Sequence, residues 1–423
     1  MWLLLAMVCA AGVWLYANRV LIPYEVSDAA AHGQPRGNLS DLYLHWVGAR
    51  ELFLNGRDPY GPDVTREIQQ GHYGRPLDPG RPEDPRDQHF AYPVYDLFCI
   101  APAIHLPFEI VRKGFRWILV WLTVATIPLW LRVLRWSAPL WAQTSMIVFT
   151  LGSLPVMQGL KLDQMTLFVA VLVAIGLACL ASDRPIAGGI ALALGTIKPQ
   201  LVWLLLVWLT IWTLADWRRR YRGAASFLFA MAILCAASEW YLPHWIPRFL
   251  EAVREYPTYT DAVSTLDKLV PAPWAWIARV LAVAATVHIG WKNRRFAEDT
   301  PAFAATAALA LAVTVIVIPT YALYNQVMLL PALLMLVRDR QQFWNRNRMS
   351  RVLLSLSAVL LLWQWLASIV LAGLSFVMPL RTVEIAWAVP LWTVPFLSVG
   401  VAGLVLMGSY QRTFIAPAGL GSS

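Results

Sequence analysis

The charged residues nearest to apolar segments are the first candidates for chemistry in this sequence. Lys161, Asp163, Lys198 and Glu239 all lie in or beside long apolar stretches. A charged side chain placed centrally in a bilayer costs at least about 2.5 kcal/mol, so such residues usually face a cavity or a partner. These residues are therefore candidates for ligand binding. For Lys161 and Asp163 the alternative is that the two side chains simply pair with each other in a loop.

Lys198 is the most informative of these residues. It follows a run of small and apolar residues, 188–197, and is itself followed by Pro199. Small residues allow close helix approach, and proline ends a helix. We therefore predict a helix break that exposes the backbone and the ammonium group to a cavity. The alternative is a lysine that extends its amine to the membrane interface.

Asp41 is the candidate for a general base. It lies in the first turn of a helix predicted over 40–54, which stops at the Asn55-Gly56 pair. A carboxylate held at a membrane surface can take a proton from a hydroxyl group. The alternative is that Ser40 caps this helix and that Asp41 only complements the positive end of the helix dipole.

The composition indicates which elements must position these side chains. Of 423 residues, 58% are hydrophobic and 14% are charged, against about 45–50% and 25% in soluble domains. This excludes a soluble enzyme, because a bilayer crossing takes about 20 apolar residues and long stretches of this kind fill the chain. We predict an all-α polytopic membrane protein with an uncleaved signal anchor and about twelve spans, at 1–24, 115–134, 138–157, 162–181, 186–197, 199–216, 224–242, 271–291, 301–320, 322–337, 352–376 and 386–410.

The positions of lysine and arginine predict the orientation, because short loops rich in these residues stay on the cytoplasmic side. Basic clusters at 218–222, 292–295 and 338–351 are separated by two predicted spans each, which places all three clusters and both termini inside. Residues 25–90 contain eleven Asp and Glu and seven Lys and Arg, a net charge of −4, in a chain of net +9. The basic excess therefore marks cytoplasmic loops and excludes a nucleic-acid partner. We predict a multi-pass protein of a bacterial inner (plasma) membrane, surrounded by membrane lipids.

The same orientation makes residues 25–114 one long extracytoplasmic loop, and a loop of this length usually carries function. The moderately apolar stretch 92–108 then cannot cross and is predicted to be a helix lying at the outer interface. Residues 71–88, rich in Pro, Gly and charge, are predicted to form a mobile loop. The chain accordingly divides into a first transmembrane helix (1–24), this loop (25–114), a transmembrane core (115–410) and a cytoplasmic tail (411–423).

Cysteine and histidine spacing indicates neither a disulfide framework nor a metal site. Cys9, Cys179 and Cys235 lie inside apolar runs and Cys99 lies in a mixed one, which is typical of packed thiols. The histidines show no spacing of the kind that metal ligands need. We therefore expect no metal and no other cofactor.

A series of short motifs, taken in order along the chain, resembles one known family. The motifs are Asp41 with the helix to Leu54, the Asn-Gly-Arg-Asp-Pro-Tyr turn at 55–60, Phe90-Ala91-Tyr92-Pro93, 158–164, 187–199 and 321–331. Together they resemble glycosyltransferase family 87, polyprenol-phosphate-mannose-dependent enzymes of the GT-C class, over most of the chain. The chain departs from the family at Val94, where a second proline is frequent, and around Asp163, where the family often has Gly-Gln-x-Asn.

The resemblance implies a multi-span fold whose first outer loop, with two interfacial helices, roofs an outward-facing cavity. It implies transfer of a sugar, most often mannose, from a polyprenyl-phosphate donor to a lipid or glycan acceptor. Asp41 would be the base, Lys198 with Lys161 would hold the donor phosphate, and a single carboxylate implies inversion. The residues that the resemblance suggests for substrate binding are Asp58, Tyr60, Tyr92, Asp163, Gln164, Tyr324 and Asn325.

Other functions also fit parts of the sequence. Twelve spans with polar residues near helix breaks suit a transporter or a flippase of lipid-linked sugars, although the large outer loop follows the first span alone and has no matching counterpart at 243–270. A ligase or polymerase of lipid-linked glycans would also use a polyprenyl carrier, with its large outer loop expected later in the chain. A purely structural membrane protein fits poorly with the cost of the buried polar residues.

Overall fold

The computed structural model describes residues 1–33, 40–75, 77–78, 88–260 and 262–414, without the side chains of 410–414. Within these ranges the chain is all-helical and has no strand, so the all-α part of the predicted fold class is confirmed. The first ten helices are α1 (Trp2–Tyr16), α2 (Ile22–Ala31), α3 (Leu42–Asn55), α4 (Pro62–Tyr73), α5 (Phe108–Val133), α6 (Leu140–Leu151), α7 (Leu154–Lys161), α8 (Met165–Leu180), α9 (Pro185–Leu194) and α10 (Pro199–Ala215). The others are α11 (Trp217–Tyr241), α12 (Trp245–Tyr259), α13 (Thr265–Leu269), α14 (Trp274–Asn293), α15 (Pro301–Val317), α16 (Leu330–Arg338), α17 (Arg340–Arg346), α18 (Arg348–Leu374), α19 (Leu380–Glu384) and α20 (Val394–Phe414).

Among the described residues, six helical stretches are long and apolar enough to cross a membrane: Trp2–Ala31, Phe108–Val133, Trp217–Tyr241, Trp274–Asn293, Arg348–Leu374 and Leu380–Ser409. The pair α6 and α7, bent by 58°, forms one further broken span or a re-entrant loop. Five shorter apolar helical stretches are Met165–Leu180, Pro185–Ile197, Pro199–Ala215, Pro301–Val317 and Leu323–Arg338. Each of the twelve segments predicted from hydropathy falls on one of these stretches. Because the five short ones are only 10–17 residues long, the number of twelve crossings stays a prediction.

Two apolar segments are interrupted by breaks, and the break predicted at Lys198-Pro199 is confirmed. After α9, a single 3-10 turn at Gly195–Ile197 leads to Lys198, and α10 begins at Pro199. Helix α15 likewise ends at Val317, and a 3-10 segment, Leu323–Leu329, precedes α16. These two breaks bring non-helical backbone into the bundle.

The helices around the first break approach closely because their contact residues are glycines. A Cβ atom on Gly189 would lie 2.2 Å from the carbonyl oxygen of Gly223 in α11. On the opposite face, a Cβ atom on Gly188 would lie 3.0 Å from the carbonyl oxygen of Gly176 in α8. The prediction that small residues permit close packing here is confirmed, and this packing holds α9, the helix that leads to Lys198, against α8 and α11.

The outer loop differs from the prediction in two places. Helix α3 ends as expected, with Gly56 in the left-handed conformation at φ 64°, but α4 was not predicted. The expected interfacial helix over 92–108 is wrong. Two short 3-10 segments, Val94–Cys99 and Ala101–Ala103, occupy this stretch and bury residues 94–97, because three prolines interrupt helical hydrogen bonding.

The limits of this loop also shift. Helix α5 begins at Phe108, before the expected boundary at 115, and its first turns carry Arg112 and Arg116, whose charge hides the helix from a hydropathy pattern. Residue 76 and residues 79–87, most of the loop predicted to be mobile, lie outside the described residues, and α4 takes up its first part.

The bundle has two ends that differ in their residues. Helices α5, α8 and α15 each run from one end to the other, and α15 is buried on every side over 303–317. The loop end is the end that carries α3, α4 and residues 88–99. At the opposite end, here called the arginine end, Arg132, Arg135 and Arg219 line a cleft of about 630 Å³. Arg220 of the basic cluster 218–222 donates to the carbonyl oxygen of Arg294 in the cluster 292–295 at 2.7 Å. These two clusters therefore lie at the same end of the bundle, while the side of the membrane stays a prediction.

Candidate active site

The N-terminus of α3 holds Asp41 at the loop end. The backbone N–H of Asp41 and the Ser40 hydroxyl both donate to the carbonyl oxygen of Leu162, at 3.0 Å each. Asp41 occupies the N-cap position but makes no capping bond, whereas Ser40 Oγ accepts from the N–H of Leu42 at 3.1 Å. Ser40 therefore makes a local hydrogen bond at the start of α3 without occupying the N-cap position, and the Asp41 carboxylate is directed elsewhere.

A tight turn after α7 supplies a partner for that carboxylate. Asp163 adopts the left-handed conformation at φ 52°, which aspartate tolerates better than most residues. The N–H of Gln164 then donates to the carbonyl oxygen of Gly159 at 2.8 Å. The turn directs the Gln164 side chain toward α3, where its Nε2 donates to Oδ2 of Asp41.

The carboxylate of Asp163 faces α5. It accepts from Arg116 at 2.8 and 3.0 Å and from Arg112 at 3.2 Å, and it is fully buried. The interpretation that Asp163 pairs with Lys161 is therefore wrong. These contacts hold the side chain of Asp163 against α5. Asp163 thereby belongs to the turn that directs Gln164 toward α3.

Lys161 also has a partner that its own neighbourhood in the sequence does not reveal. Its Nζ lies 2.5 and 2.6 Å from the two carboxylate oxygens of Glu25 in α2, and its side chain is 6% exposed. This pair joins the first helical stretch to α7. The ammonium group of Lys161, which was expected to bind the donor phosphate, is therefore already paired with the carboxylate of Glu25.

Lys198 lies at the centre of a buried polar network. Its Nζ donates to Oε1 of Gln164 at 2.6 Å and to the hydroxyl of Thr166 at 3.1 Å, and the lysine is 3% exposed. The Thr166 hydroxyl in turn donates to Oδ1 of Asn325 at 3.2 Å. One amide group, that of Gln164, therefore connects the carboxylate of Asp41 with the ammonium of Lys198. Within the described ranges Lys198 makes no ion pair.

Aromatic rings surround this ammonium group. Lys198 Nζ lies 5.5 Å from the ring centroid of Tyr92 and 5.3 Å from that of Tyr324, within the range of cation–π attraction. The Tyr60 hydroxyl donates to the carbonyl oxygen of Tyr92 at 2.5 Å. Burial raises the pKa of the Tyr92 and Tyr60 phenols above their ordinary value, so both remain neutral hydrogen-bonding groups at physiological pH.

Asp58 organises the loop between α3 and α4. Its Oδ1 accepts from the N–H of Tyr60 at 2.9 Å, which forms the predicted turn, and its Oδ2 accepts from Arg248 at 2.5 Å. Arg248 lies on α12, so this ion pair attaches α12 to the loop. Of the predicted site residues, Asp41, Gln164, Lys198, Tyr92, Tyr324 and Asn325 come together with Tyr60 beside them, whereas Asp58, Asp163 and Lys161 serve neighbouring contacts.

Sequence reasoning missed His45, Asp96, Thr166 and Arg248. His45 carried a usable signal, because it lies four residues after Asp41 on the same face of α3. Its partner is Asp96, whose Oδ2 is hydrogen-bonded to His45 Nδ1. Asp96 lies 51 residues away, and no sequence pattern indicated its role. Thr166 lies two residues after Gln164, at the start of α8, and Arg248 lies on α12, in a stretch for which no helix was predicted.

The arrangement combines a carboxylate, a buried ammonium group and a wall of aromatic rings. A carboxylate at Asp41 can accept a proton from a hydroxyl group. An ammonium group without a paired carboxylate can stabilise an anion, most strongly where water is excluded. Among the described residues no group of three or more His, Cys, Asp and Glu is placed to hold a metal ion.

Comparison with known proteins identifies one family. The sequence model of glycosyltransferase family 87 matches residues 90–319, more than half of the chain. The matched region contains Tyr92, Gln164 and Lys198, and it ends before Tyr324 and Asn325. No curated protein and no solved structure matches the chain.

Proposed function

The chain belongs to glycosyltransferase family 87, and from this membership we propose that it transfers a sugar, mannose first among the candidates, from a polyprenyl-phosphate donor to a lipid or glycan acceptor. As a glycosyltransferase of this family with several apolar helices, it acts within a membrane. The proposed site faces the extracytoplasmic side, and the proposed location is a bacterial inner membrane with both termini cytoplasmic.

One observation carries the proposal. Asp41 and Lys198, which come from distant parts of the chain, are joined through the single amide of Gln164. A sugar transfer from a lipid phosphate needs both groups, because a proton must leave the acceptor and a phosphate must depart. The absence of an ion pair on Lys198 within the described ranges supports a role in which its charge meets the phosphate of the donor.

The proposed reaction is a direct displacement. Asp41 accepts the proton of the acceptor hydroxyl, the acceptor oxygen forms a bond to the anomeric carbon, and the bond between that carbon and the phosphate oxygen breaks. The polyprenyl phosphate leaves with one additional negative charge, which Lys198 stabilises. A single carboxylate acting as base gives inversion, since no covalent glycosyl-enzyme intermediate forms.

The roles of the other residues follow from their contacts. We assign the donor phosphate to Lys198 without Lys161, because Glu25 already neutralises Lys161. Tyr60, Tyr92, Tyr324 and Asn325 are proposed to line the sugar site around Lys198, where neutral phenols can hydrogen-bond to sugar hydroxyls. Asp58 and Asp163 are proposed to support substrate binding indirectly, through the loop and the turn that they stabilise.

The test uses the full-length chain purified into lipid nanodiscs. Polyprenyl-phosphate mannose with a labelled sugar is added with a bacterial lipid and glycan extract as acceptor. We expect label in an acceptor product, release of polyprenyl phosphate and an inverted anomeric configuration by NMR. Parallel reactions with the glucose-bearing and arabinose-bearing donors test the sugar. An unchanged donor in nanodiscs, together with movement of labelled donor across proteoliposome membranes, would instead identify a flippase.

A further inference from the structure

A short segment, Tyr92–Asp96, lies between the helix of Asp41 and the break at Lys198, and we call it the strap. It follows Ala91, and its end forms the first turn of the 3-10 segment Val94–Cys99, with the N–H of Asp96 donating to the carbonyl oxygen of Pro93 at 2.9 Å. The strap contacts both sides of the proposed site.

Asp96 attaches the strap to α3. Its Oδ2 is hydrogen-bonded to Nδ1 of His45, and both residues are almost completely buried, at 0% and 2% exposure. His45 lies one helical turn after Asp41, so the two side chains leave α3 from the same face. The contact therefore fixes the strap to the face of α3 that carries the proposed base.

Tyr95 attaches the strap to the helix break. Its hydroxyl lies 3.2 Å from the carbonyl oxygen of Thr196, to which it donates, and 3.1 Å from the Thr196 hydroxyl. Thr196 precedes Lys198 by two residues in the 3-10 turn at the end of α9. The second attachment is thus made next to the proposed phosphate ligand.

Tyr92, at the start of the strap, lies between these attachments. Its ring centroid is 4.5 Å from that of His45, and Lys198 Nζ is 5.5 Å from it. His45, Tyr92 and Lys198 are therefore in one continuous row. A movement of the strap would change the environment of Lys198 and its relation to α3 together.

The energetics of the His45–Asp96 pair favour a role in positioning. A buried pair of polar side chains of this kind often contributes no more stability than apolar residues of similar size. In addition, Oδ1 of Asp96 is buried without a hydrogen-bond partner among the described residues, and such an unsatisfied atom costs about 1–3 kcal/mol. Stability alone therefore does not account for the pair, whereas a defined geometry between two reactive groups does.

We propose that His45, Asp96 and Tyr95 are positioning residues, which hold the strap so that Asp41 and Lys198 keep the separation and orientation needed for sugar transfer. The proposal rests on the proposed function, since it takes Asp41 as base and Lys198 as phosphate ligand. Misplacement of reacting groups by about 1 Å can lower a rate 100-fold, so loosening the strap should reduce kcat more than it changes donor binding.

The main experiment replaces the pair with apolar residues of similar size, His45→Phe with Asp96→Leu, in the full-length chain in nanodiscs. Thermal unfolding establishes that the variant is folded. We expect kcat to fall about 10–100-fold, with the donor KM within threefold of wild type. The single variant His45→Asn keeps Asp96, and its amide N–H replaces Nδ1–H. It should keep kcat within about threefold of the wild-type value. Wild-type kcat in the double variant, or a raised donor KM at unchanged kcat, would overturn the proposal.

Two further measurements keep the proposal testable if the double variant does not fold or if the wild type transfers no sugar. Tyr95→Phe removes only the hydroxyl that binds Thr196, and we expect a lower kcat at unchanged melting temperature. An unchanged kcat contradicts the positioning role of the strap.

Amide hydrogen exchange does not depend on activity. Faster exchange confined to residues 92–96 in Tyr95→Phe supports the strap, and unchanged exchange overturns it, whereas an inactive wild type counts against the proposed function alone.

Discussion

The loop end and the arginine end of the bundle treat their charges in different ways. At the arginine end, Arg135 and Asp299 form an ion pair at 3.3 Å with both side chains more than half exposed. Arg219 and Glu298 form a second pair there at 3.2 Å. At the loop end, Lys198 is buried and is bound to the neutral amide of Gln164 and the hydroxyl of Thr166.

This difference indicates where an anionic substrate can bind. Exposed ion pairs contribute about 0–1 kcal/mol and leave no unmatched charge. A buried ammonium group whose hydrogen-bond partners are neutral has no carboxylate to match its charge, and its attraction for a phosphate is strongest in a low-dielectric site. In the proposed function the loop end is therefore the end that binds the donor, whereas the charges of Arg135 and Arg219 at the arginine end are matched within the protein.

The largest effect is expected from Asp41→Asn. The amide keeps the size of the carboxylate and can still hydrogen-bond to Gln164, but it cannot accept the acceptor proton. We expect kcat to fall about 10²–10⁴-fold with donor binding preserved, measured by transfer assays and by donor titration. Asp63→Asn is the matched control, because Asp63 lies on α4 with an exposed side chain paired to Arg66. Full turnover in Asp41→Asn would remove Asp41 as the base.

The next largest effect concerns the charge of Lys198, which distinguishes the loop end from the arginine end. Lys198→Met keeps much of the side-chain length and removes the ammonium group. Because a hydrogen bond to a charged group contributes about 1.5–3 kcal/mol, we expect the dissociation constant for polyprenyl phosphate to rise about 10–150-fold. Calorimetric titration in nanodiscs measures it. Unchanged affinity would show that Lys198 is a structural lysine.

A smaller effect is expected when the loop end is made to resemble the arginine end. Gln164→Glu places a carboxylate next to Lys198 and next to Asp41. The new charge neutralises the ammonium group of Lys198 and repels the carboxylate of Asp41. We expect donor affinity to fall about tenfold, which corresponds to about 1.4 kcal/mol. Gln164→Met, which breaks the hydrogen bonds without adding a charge, is the control and should weaken donor binding less. Equal losses in both variants would refute the explanation by charge.

The sequence predicted the local features of both the fold and the site. Helix ends at Gly56 and at Lys198-Pro199 follow from backbone preferences of single residues, and the apolar segments follow from composition over a window. The stretch 92–108 was misjudged because its apolar content favoured a helix while three prolines prevented one. Helix α4 was missed for the opposite reason, since its polar surface hides a buried face.

Local sequence patterns do not predict contacts between residues that are distant in the sequence. Lys161 and Asp163 are neighbours in sequence with opposite charges, which made a mutual pair plausible, yet they bind Glu25 and Arg116, 136 and 47 residues away. Asp41, Gln164 and Lys198 were each singled out, whereas their connection through one amide appears only in three dimensions. Periodicity specifies which face of a helix is buried, but not which residue it meets.

Lys161 offers a test of whether every lysine at the loop end serves the donor. Lys161→Met leaves the Glu25 carboxylate without its cation beside an apolar side chain, so we expect a loss of about 1–3 kcal/mol in stability and a lower melting temperature. Donor affinity should stay at the wild-type value. The double variant with Glu25→Gln should recover part of the stability. Weakened donor binding in a folded Lys161→Met protein would return Lys161 to the phosphate site.

The smallest effect is expected from Asp299→Asn, the same chemical change as Asp41→Asn at the other end of the bundle. Asp299 is 55% exposed and its ion pair with Arg135 is solvated, so the change in unfolding free energy should stay within about 1 kcal/mol, with kcat and KM unchanged. Denaturant titration and the transfer assay measure both. Because the two substitutions remove one carboxylate charge each, a large difference in turnover attributes the effect to position. A comparable loss in Asp299→Asn would mean that both ends act on the reaction.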